Sequence, residues 1–156
     1  MRTGAVNKPS LKDNRQFLEV VFMKVFLVDD SVIMLKKLAE MISSIDGVEI
    51  AGQATNANDA VKSIVKMKPD VAILDIHLND SNNGIDVLKQ IRKEIPSSVI
   101  IMLTNYSSPE YREKCRALGA DYFFDKVTEI QKLNDTLKQL FKENFSPTEE
   151  IKELVD

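Results

Sequence analysis

The chain has 156 residues but only one cysteine, one histidine and no tryptophan. A single thiol, Cys115, excludes an internal disulfide and a zinc site built from several cysteines, and it fits a reducing compartment. No apolar run in the sequence approaches the roughly 20 residues that a membrane-spanning helix needs. Acidic residues outnumber basic ones, giving a formal charge of −3, so direct binding of nucleic acid is disfavoured. These absences favour a cytoplasmic protein with one buried core.

Residues 1–22 differ from the rest of the chain. They contain four cations against two acids, no apolar core typical of a signal peptide, and no sustained hydrophobic period. We expect a loose tail or leader here, in which residues 16–22 form an added strand, an added helix or part of the leader. The folded domain is expected to span residues 23–143. An acidic tail or a short helix is expected at residues 144–156.

From Met23 onward, strand patterns alternate with helical patterns. The predicted strands are 24–28, 48–52, 71–74, 99–103 and 122–124. Three of them are continuous apolar runs, which are typical of strands buried on both faces. Between the strands, apolar residues recur every three or four positions and predict amphipathic helices. Five strand–helix units with short connections predict a parallel sheet with helices on both faces.

Two helix starts carry the pattern of a capping box. Ser107 with Glu110 has the required spacing, and Pro109 lies where the first turn of a helix tolerates proline. Thr128 with Gln131 is the second candidate. The fourth helix is therefore predicted to begin just after Ser107, and the fifth just after Thr128.

Polar side chains follow four of the predicted strands. Asp29 and Asp30 follow the first, Asp75 the third, Thr104 the fourth and Lys126 the fifth. Because the carboxyl ends of parallel strands meet at one edge of the sheet, we expect these five residues to converge there. Three carboxylates suit Mg²⁺, while a hydroxyl and an ammonium suit phosphoryl oxygens. A lone carboxylate at a strand end also suits a nucleophile that forms an acyl phosphate.

Taken together, these segments resemble the receiver domain of bacterial two-component response regulators, in particular the single-domain receivers of the chemotaxis-regulator type. The resemblance covers about residues 23–143. It rests on four segments that occur in the family's order: 27–31, 74–76, 102–104 and 119–126. It implies a flavodoxin-like, doubly wound (βα)5 fold with five parallel strands in the order 2-1-3-4-5, and Mg²⁺ as the cofactor.

The resemblance also implies roles for the acidic residues. Asp75 takes the position of the phosphoacceptor and is a metal ligand. Asp30 corresponds to a direct Mg²⁺ ligand, and Asp29 to one that acts through water. The remaining protein ligand in the family is the backbone carbonyl two residues after the phosphoacceptor, which here belongs to His77.

Further positions flank the phosphoryl group. Thr104 corresponds to the switch hydroxyl and Lys126 to the cation that binds phosphoryl oxygens. Phe123, three residues before the lysine, corresponds to the aromatic switch. The side chain of His77 and that of Asn105 are expected to modulate the rates of phosphoryl transfer. We expect the His77 side chain to be exposed, with a role as metal ligand or general base as the alternative.

The sequence departs from the family pattern at three places. Leu78 and Asn79 replace a common Met-Pro pair, and the loop through Asp80 to Gly84 is one residue longer than usual. Val127 stands where a proline commonly follows the lysine. These changes affect the expected reaction rates and the shape of the partner surface.

The expected function is Mg²⁺-dependent transfer of a phosphoryl group onto Asp75 from a histidine kinase or a phosphotransfer protein. The chain is expected to promote its own phosphorylation and dephosphorylation and not to act as an enzyme. Its output is expected to be contact with a downstream protein through the fourth helix, fifth strand and fifth helix, without nucleic acid or membrane. The alternatives are a receiver fragment of a longer DNA-binding regulator, an aspartyl-phosphate hydrolase, and a scaffold that is never phosphorylated.

Overall fold

The computed structural model describes residues 21–79 and 81–145, so the expectations for residues 1–20, for Asp80 and for residues 146–156 lie outside it. Strand and helix alternate five times in the described part. The strands are β1 (Met23–Val28), β2 (Val48–Ala54), β3 (Val71–Leu74), β4 (Val99–Thr104) and β5 (Tyr122–Asp125). The helices are α1 (Val32–Ser43), α2 (Ala57–Met67), α3 (Gly84–Glu94), α4 (Pro109–Ala117) and α5 (Ile130–Asn144).

The five strands form one parallel sheet in the order β2-β1-β3-β4-β5, which confirms the predicted fold. The central strand β3 is buried along its whole length, as a continuous apolar run predicts. One face of the sheet packs with apolar residues of α2, α3 and α4, including Ile64, Leu88 and Cys115. The other face packs with α1 and α5, for example through Ile42 and Leu137. Two apolar layers therefore hold the sheet rigidly between the helices.

The start of α4 differs from the sequence prediction. Its N-cap is Ser108, whose hydroxyl accepts a hydrogen bond from the Tyr111 backbone N–H at 3.3 Å. The capping box predicted for Ser107 and Glu110 is therefore wrong. The Ser107 hydroxyl instead donates to a carboxylate oxygen of Asp125 at 2.5 Å.

The start of α5 also differs from the prediction. The helix begins after Glu129 without a side-chain cap, so the box predicted for Thr128 and Gln131 is wrong. The reason is that Asp125 already binds this turn: one of its carboxylate oxygens accepts from the backbone N–H groups of Val127 and Thr128. Thr128 thus lies inside a turn that another side chain organises.

Within residues 21–79 and 81–145, no helix combines the length and the apolar character that crossing a bilayer requires.

Candidate functional site

Two aspartates are fixed at the carboxyl ends of neighbouring strands. Asp29 follows β1, and its N–H donates to the Ala54 carbonyl at 3.2 Å. Asp75 follows β3, and its N–H donates to the Val28 carbonyl at 3.0 Å. Both residues are nearly inaccessible, at 1% and 6% exposure. The sheet therefore sets the separation of the two carboxylates before any ligand arrives.

Asp30 joins these two residues to form an acidic cluster. One carboxylate oxygen from each of Asp29, Asp30 and Asp75 lies within 4.8 Å of the other two. Asp30 is half-buried, at the rim of the cluster. Like charges at this separation, with little water around them, repel one another and create a strong preference for a cation.

Lys126 supplies one cation to the cluster. Its Nζ lies 2.5 Å from Asp29 Oδ2 and 2.7 Å from Asp75 Oδ2. The lysine is held at the end of β5, where its backbone N–H donates to the Thr104 carbonyl at 3.0 Å. Burial alone would lower the pKa of Lys126, but the hydrogen bonds to the two carboxylates outweigh it and the pKa is raised. The ammonium therefore stays charged between the two acids.

At Asp29, burial affects the pKa more than the hydrogen bonds do. It raises the pKa of that carboxyl above the ordinary value, against the hydrogen bonds from Lys126 and from the Ser31 N–H, which lower it. The nearby Asp75 charge raises the pKa of Asp29 further. A second cation at the cluster would favour the ionised form of this carboxyl.

The remaining polar atoms are directed by the backbone. Asp75 Oδ1 accepts from the Ile76 N–H at 2.7 Å, which fixes the rotation of the carboxylate. Thr104 is fully buried, and its Oγ1 accepts from the Tyr106 N–H at 3.2 Å. Because that bond uses the hydroxyl oxygen as an acceptor, the O–H of Thr104 can still donate to a new ligand.

His77 and Asn105 flank the cluster in different ways. The ring of His77 is half-buried and not exposed as expected, because it packs edge-on against Tyr106 with the ring centroids 3.6 Å apart. Tyr111 lies 6.2 Å from the same ring. Asn105 is exposed. Sequence reasoning missed Tyr106, whose one signal is its place two residues after Thr104.

Gly84 fits tightly behind Asp75. A Cβ at this position would overlap the Asp75 carbonyl oxygen and press on the Ile76 backbone. The Gly84 N–H donates to the Ile76 carbonyl at 2.7 Å. The unusually long loop thus still returns to the backbone of the candidate phosphoacceptor.

Phe123 is half-buried on the sheet face that packs with α4. The guanidinium carbon of Arg112 is 4.9 Å from the centroid of its ring. Sequence reasoning did not single out Arg112, because a charged residue on an exposed helix carries no pattern that distinguishes it.

Comparisons with known proteins agree with this geometry. A family model described as the response regulator receiver domain matches residues 25–138. The chain is 34% identical to a protein-glutamate methylesterase/protein-glutamine glutaminase of Clostridium acetobutylicum, over 80% of this chain and 37% of that protein. It is 30% identical to an uncharacterized transcriptional regulatory protein, YvfU, of Bacillus subtilis, over 80% of this chain and 63% of that protein. The chain thus spans less than two thirds of the length of both relatives.

Solved structures give the same result. The response regulator domain of Thermotoga maritima CheB superposes with a TM-score of 0.68 at 27% identity, covering 81% of this chain and 99% of that one. A chain of the CheX-CheY-BeF3-Mg+2 complex from Borrelia burgdorferi superposes with a TM-score of 0.70 at 26% identity, covering 76% and 89%.

Proposed function

The chain belongs to the response regulator receiver domain family, and from that premise we propose that Asp75 is its phosphoacceptor. The observation that carries this proposal is the position of the carboxylate. Asp75 Oδ2 contacts the Lys126 ammonium while Oδ1 is held by the Ile76 N–H, at the centre of a buried acidic cluster. A carboxylate fixed on both oxygens is oriented for in-line attack on phosphorus.

The acidic cluster fits Mg²⁺. Asp30 and Asp75 would bind it directly together with the backbone carbonyl of His77, and Asp29 would act through water. Hard carboxylate and carbonyl oxygens that leave room for several waters are the ligand set that this ion favours. When bound, Mg²⁺ would neutralise charge on the phosphoryl oxygens and on the acids that face them.

The transfer itself exchanges one bond to phosphorus for another. An oxygen of Asp75 forms the new bond, the bond to the donor's nitrogen breaks, and that nitrogen keeps the electron pair. Lys126 then donates to a phosphoryl oxygen through the third N–H of its ammonium, beyond the two contacts with Asp29 and Asp75. The O–H of Thr104, which no described acceptor takes, donates to another phosphoryl oxygen.

The phosphodonor is a histidine kinase or a phosphotransfer protein, and the site of transfer is the cytoplasm. As Thr104 turns toward the phosphoryl group, Phe123 turns into the space beside it. This movement changes the surface formed by α4, β5 and α5, which binds a downstream protein. The added charge of the phosphoryl group thereby shifts Thr104 and Phe123 from one arrangement to another.

The main alternative among catalytic functions is hydrolysis of external phosphoesters through an aspartyl phosphate. In that reading His77 would act as the general acid, but its ring is packed edge-on against Tyr106. We therefore favour a phosphoacceptor that promotes only its own phosphorylation and dephosphorylation.

Incubation with acetyl phosphate and Mg²⁺, followed by intact-mass analysis, tests the proposal. We expect one phosphoryl adduct on the wild-type chain, none on Asp75→Asn, and none when EDTA removes the metal. Asp135→Asn, a change at an exposed aspartate on α5, is the matched control and should leave the adduct unchanged. An adduct of equal yield on Asp75→Asn, or many turnovers of an added phosphoester, would contradict the proposal.

A further inference from the structure

The guanidinium of Arg112 connects three segments beside the candidate site. Its Nε donates to the Ser107 carbonyl at 3.2 Å, in the loop before α4. Its Nη1 donates to the Phe123 carbonyl on β5 at 3.3 Å. Its Nη2 pairs with Glu129 Oε1 at 2.5 Å, in the turn before α5. One side chain of α4 therefore joins the loop after β4, the strand β5 and the turn that follows it.

The same guanidinium also covers the ring of Phe123. Its central carbon lies 4.9 Å from the ring centroid, within the distance at which a cation is attracted to an aromatic face. The half-buried ring also packs against the apolar core cluster that includes Cys115 of α4. Phe123 thus contacts both the core and a cation.

Arg112 is itself fixed in place. Its partner Glu129 has a side chain only 16% exposed, and Glu129 Oε1 also accepts from the Asp125 N–H at 3.0 Å. Hydrogen bonds from Arg112 and from the Asp125 N–H are the main causes that lower the pKa of Glu129 to about 2, and the carboxylate is charged at neutral pH. A guanidinium that is bonded on three of its nitrogens presents a fixed plane to the ring.

We propose that Arg112 is a positioning residue that holds Phe123 in its unphosphorylated position and so opposes the switch. The inference rests on the proposed function, in which Phe123 turns toward Thr104 after phosphorylation. That turn takes the ring off the guanidinium, whereas Glu129 and Ser107 keep the guanidinium where it is. The contact therefore stabilises only one of the two arrangements, and its loss favours the other.

Beryllofluoride binding in the presence of Mg²⁺, followed by fluorine NMR or calorimetry, measures this bias. Arg112→Ala should bind beryllofluoride roughly two- to fivefold more tightly than the wild type, the factor expected for a partly exposed cation–π contact. Arg112→Lys keeps the charge but lacks the planar fork, so we expect a smaller shift in the same direction. Arg116→Ala is the matched control, since this α4 residue pairs with Glu113 at 71% and 65% side-chain exposure. It should leave the affinity unchanged.

A double-mutant cycle separates this role from a general loss of stability. In a Phe123→Ala background, Arg112→Ala should produce no further gain in affinity, because the ring that it held is gone. An unchanged or weaker affinity in Arg112→Ala, or the same gain with and without the Phe123 ring, would overturn the inference. If Arg112→Ala does not fold, an unchanged affinity in Arg112→Lys would overturn it instead. Absence of beryllofluoride binding to the wild type is a different outcome, which removes the proposed function and this inference with it.

Discussion

At the scale of single residues, the site carries more negative than positive charge. Lys126 contacts two buried carboxylates, and a third carboxylate lies beside them at Asp30. The lysine side chain is only 11% exposed, so its charge is poorly screened by water. In the absence of another cation, the ammonium is what makes burial of Asp29 and Asp75 tolerable.

Replacing Lys126 by methionine should destabilise the metal-free protein. Two buried acids then lose their partner, and we expect the free energy of unfolding to fall by about 3 kcal/mol, the lower end of the cost of breaking a buried pair. Mg²⁺ should restore part of this loss, so denaturant unfolding should depend more on Mg²⁺ in the variant than in the wild type. Lys132→Met removes an ion pair whose lysine side chain is 67% exposed, and it should cost only about 0.5 kcal/mol. Equal losses in the two variants would contradict the account.

The sequence was sufficient to predict which acids converge, but not which side chains support them. Asp29, Asp75 and Lys126 could be placed together because each follows a predicted strand of one parallel sheet. Arg112 and Tyr106 could not be predicted, because their roles arise from contacts between elements that are distant in the sequence or from local ring packing. Such contacts leave no periodic pattern.

At the scale of elements, the sheet and the helix starts together aim the functional groups. The helix α3 begins at Gly84, directly behind the Asp75 backbone, and Asn83 caps it through a complete capping box with Asp86. This box was not predicted, while the two that were predicted at α4 and α5 did not form. At α4 the adjacent serine, Ser108, caps the helix instead, and at α5 the Thr128 N–H donates to Asp125.

Gly84→Ala tests whether the close approach of α3 positions Asp75. The added Cβ overlaps the Asp75 carbonyl oxygen, and backbone cannot yield as a flexible side chain does. We expect a loss of about 1–3 kcal/mol in the free energy of unfolding, the usual cost of overpacking. Acetyl-phosphate labelling should also slow at a temperature where the variant is fully folded. A variant with normal stability and normal labelling would show that α3 does not press on the Asp75 backbone.

The turn before α5 should make the free energy of unfolding depend on pH. Hydrogen bonds from Arg112 and from the Asp125 N–H are the main causes that lower the pKa of Glu129 to about 2 in the folded chain, below the ordinary value of 4.5. Glu129 therefore stabilises the fold above about pH 4.5, and that contribution is lost as the pH falls toward 2. Between neutral pH and about pH 3, Glu129→Gln should lose less stability in denaturant unfolding than the wild type. Equal losses in the two proteins would refute the assignment.

At the scale of the whole molecule, the alternation of strand and helix determines the fold. The strand order that the family resemblance implied is confirmed, whereas the apolar runs and short connections alone predicted a parallel sheet with helices on both faces. The bounds of β3 match the prediction, while the other four strands extend it by one or two residues. The ends of β2 and β5 are set by pairing with β1 and β4. The apolar pattern of one strand does not show which neighbouring strand it pairs with, so it does not fix where the strand ends.

We expect the folded unit to begin at Met23, as predicted, and to include all of α5, which ends at Asn144 and so passes the predicted bound of 143. The first strand begins at Met23, whose N–H donates to the Gly47 carbonyl at 2.8 Å, while Val21 and Phe22 are exposed at 45% and 42%. A chain that begins at Met23 should therefore show the same circular dichroism and a melting temperature within a few degrees of the full chain. A shortened chain that does not fold would refute this boundary.

The position of the phosphoryl group tests the central claim most directly. Trypsin releases residues 67–89 as one peptide with four aspartates, at positions 70, 75, 80 and 86. After labelling with acetyl phosphate and Mg²⁺, borohydride reduction converts an aspartyl phosphate to homoserine, which fragmentation of the peptide can locate. We expect homoserine at position 75 alone, and only when Mg²⁺ is present. Homoserine at another aspartate, or labelling that is indifferent to Mg²⁺, would contradict it.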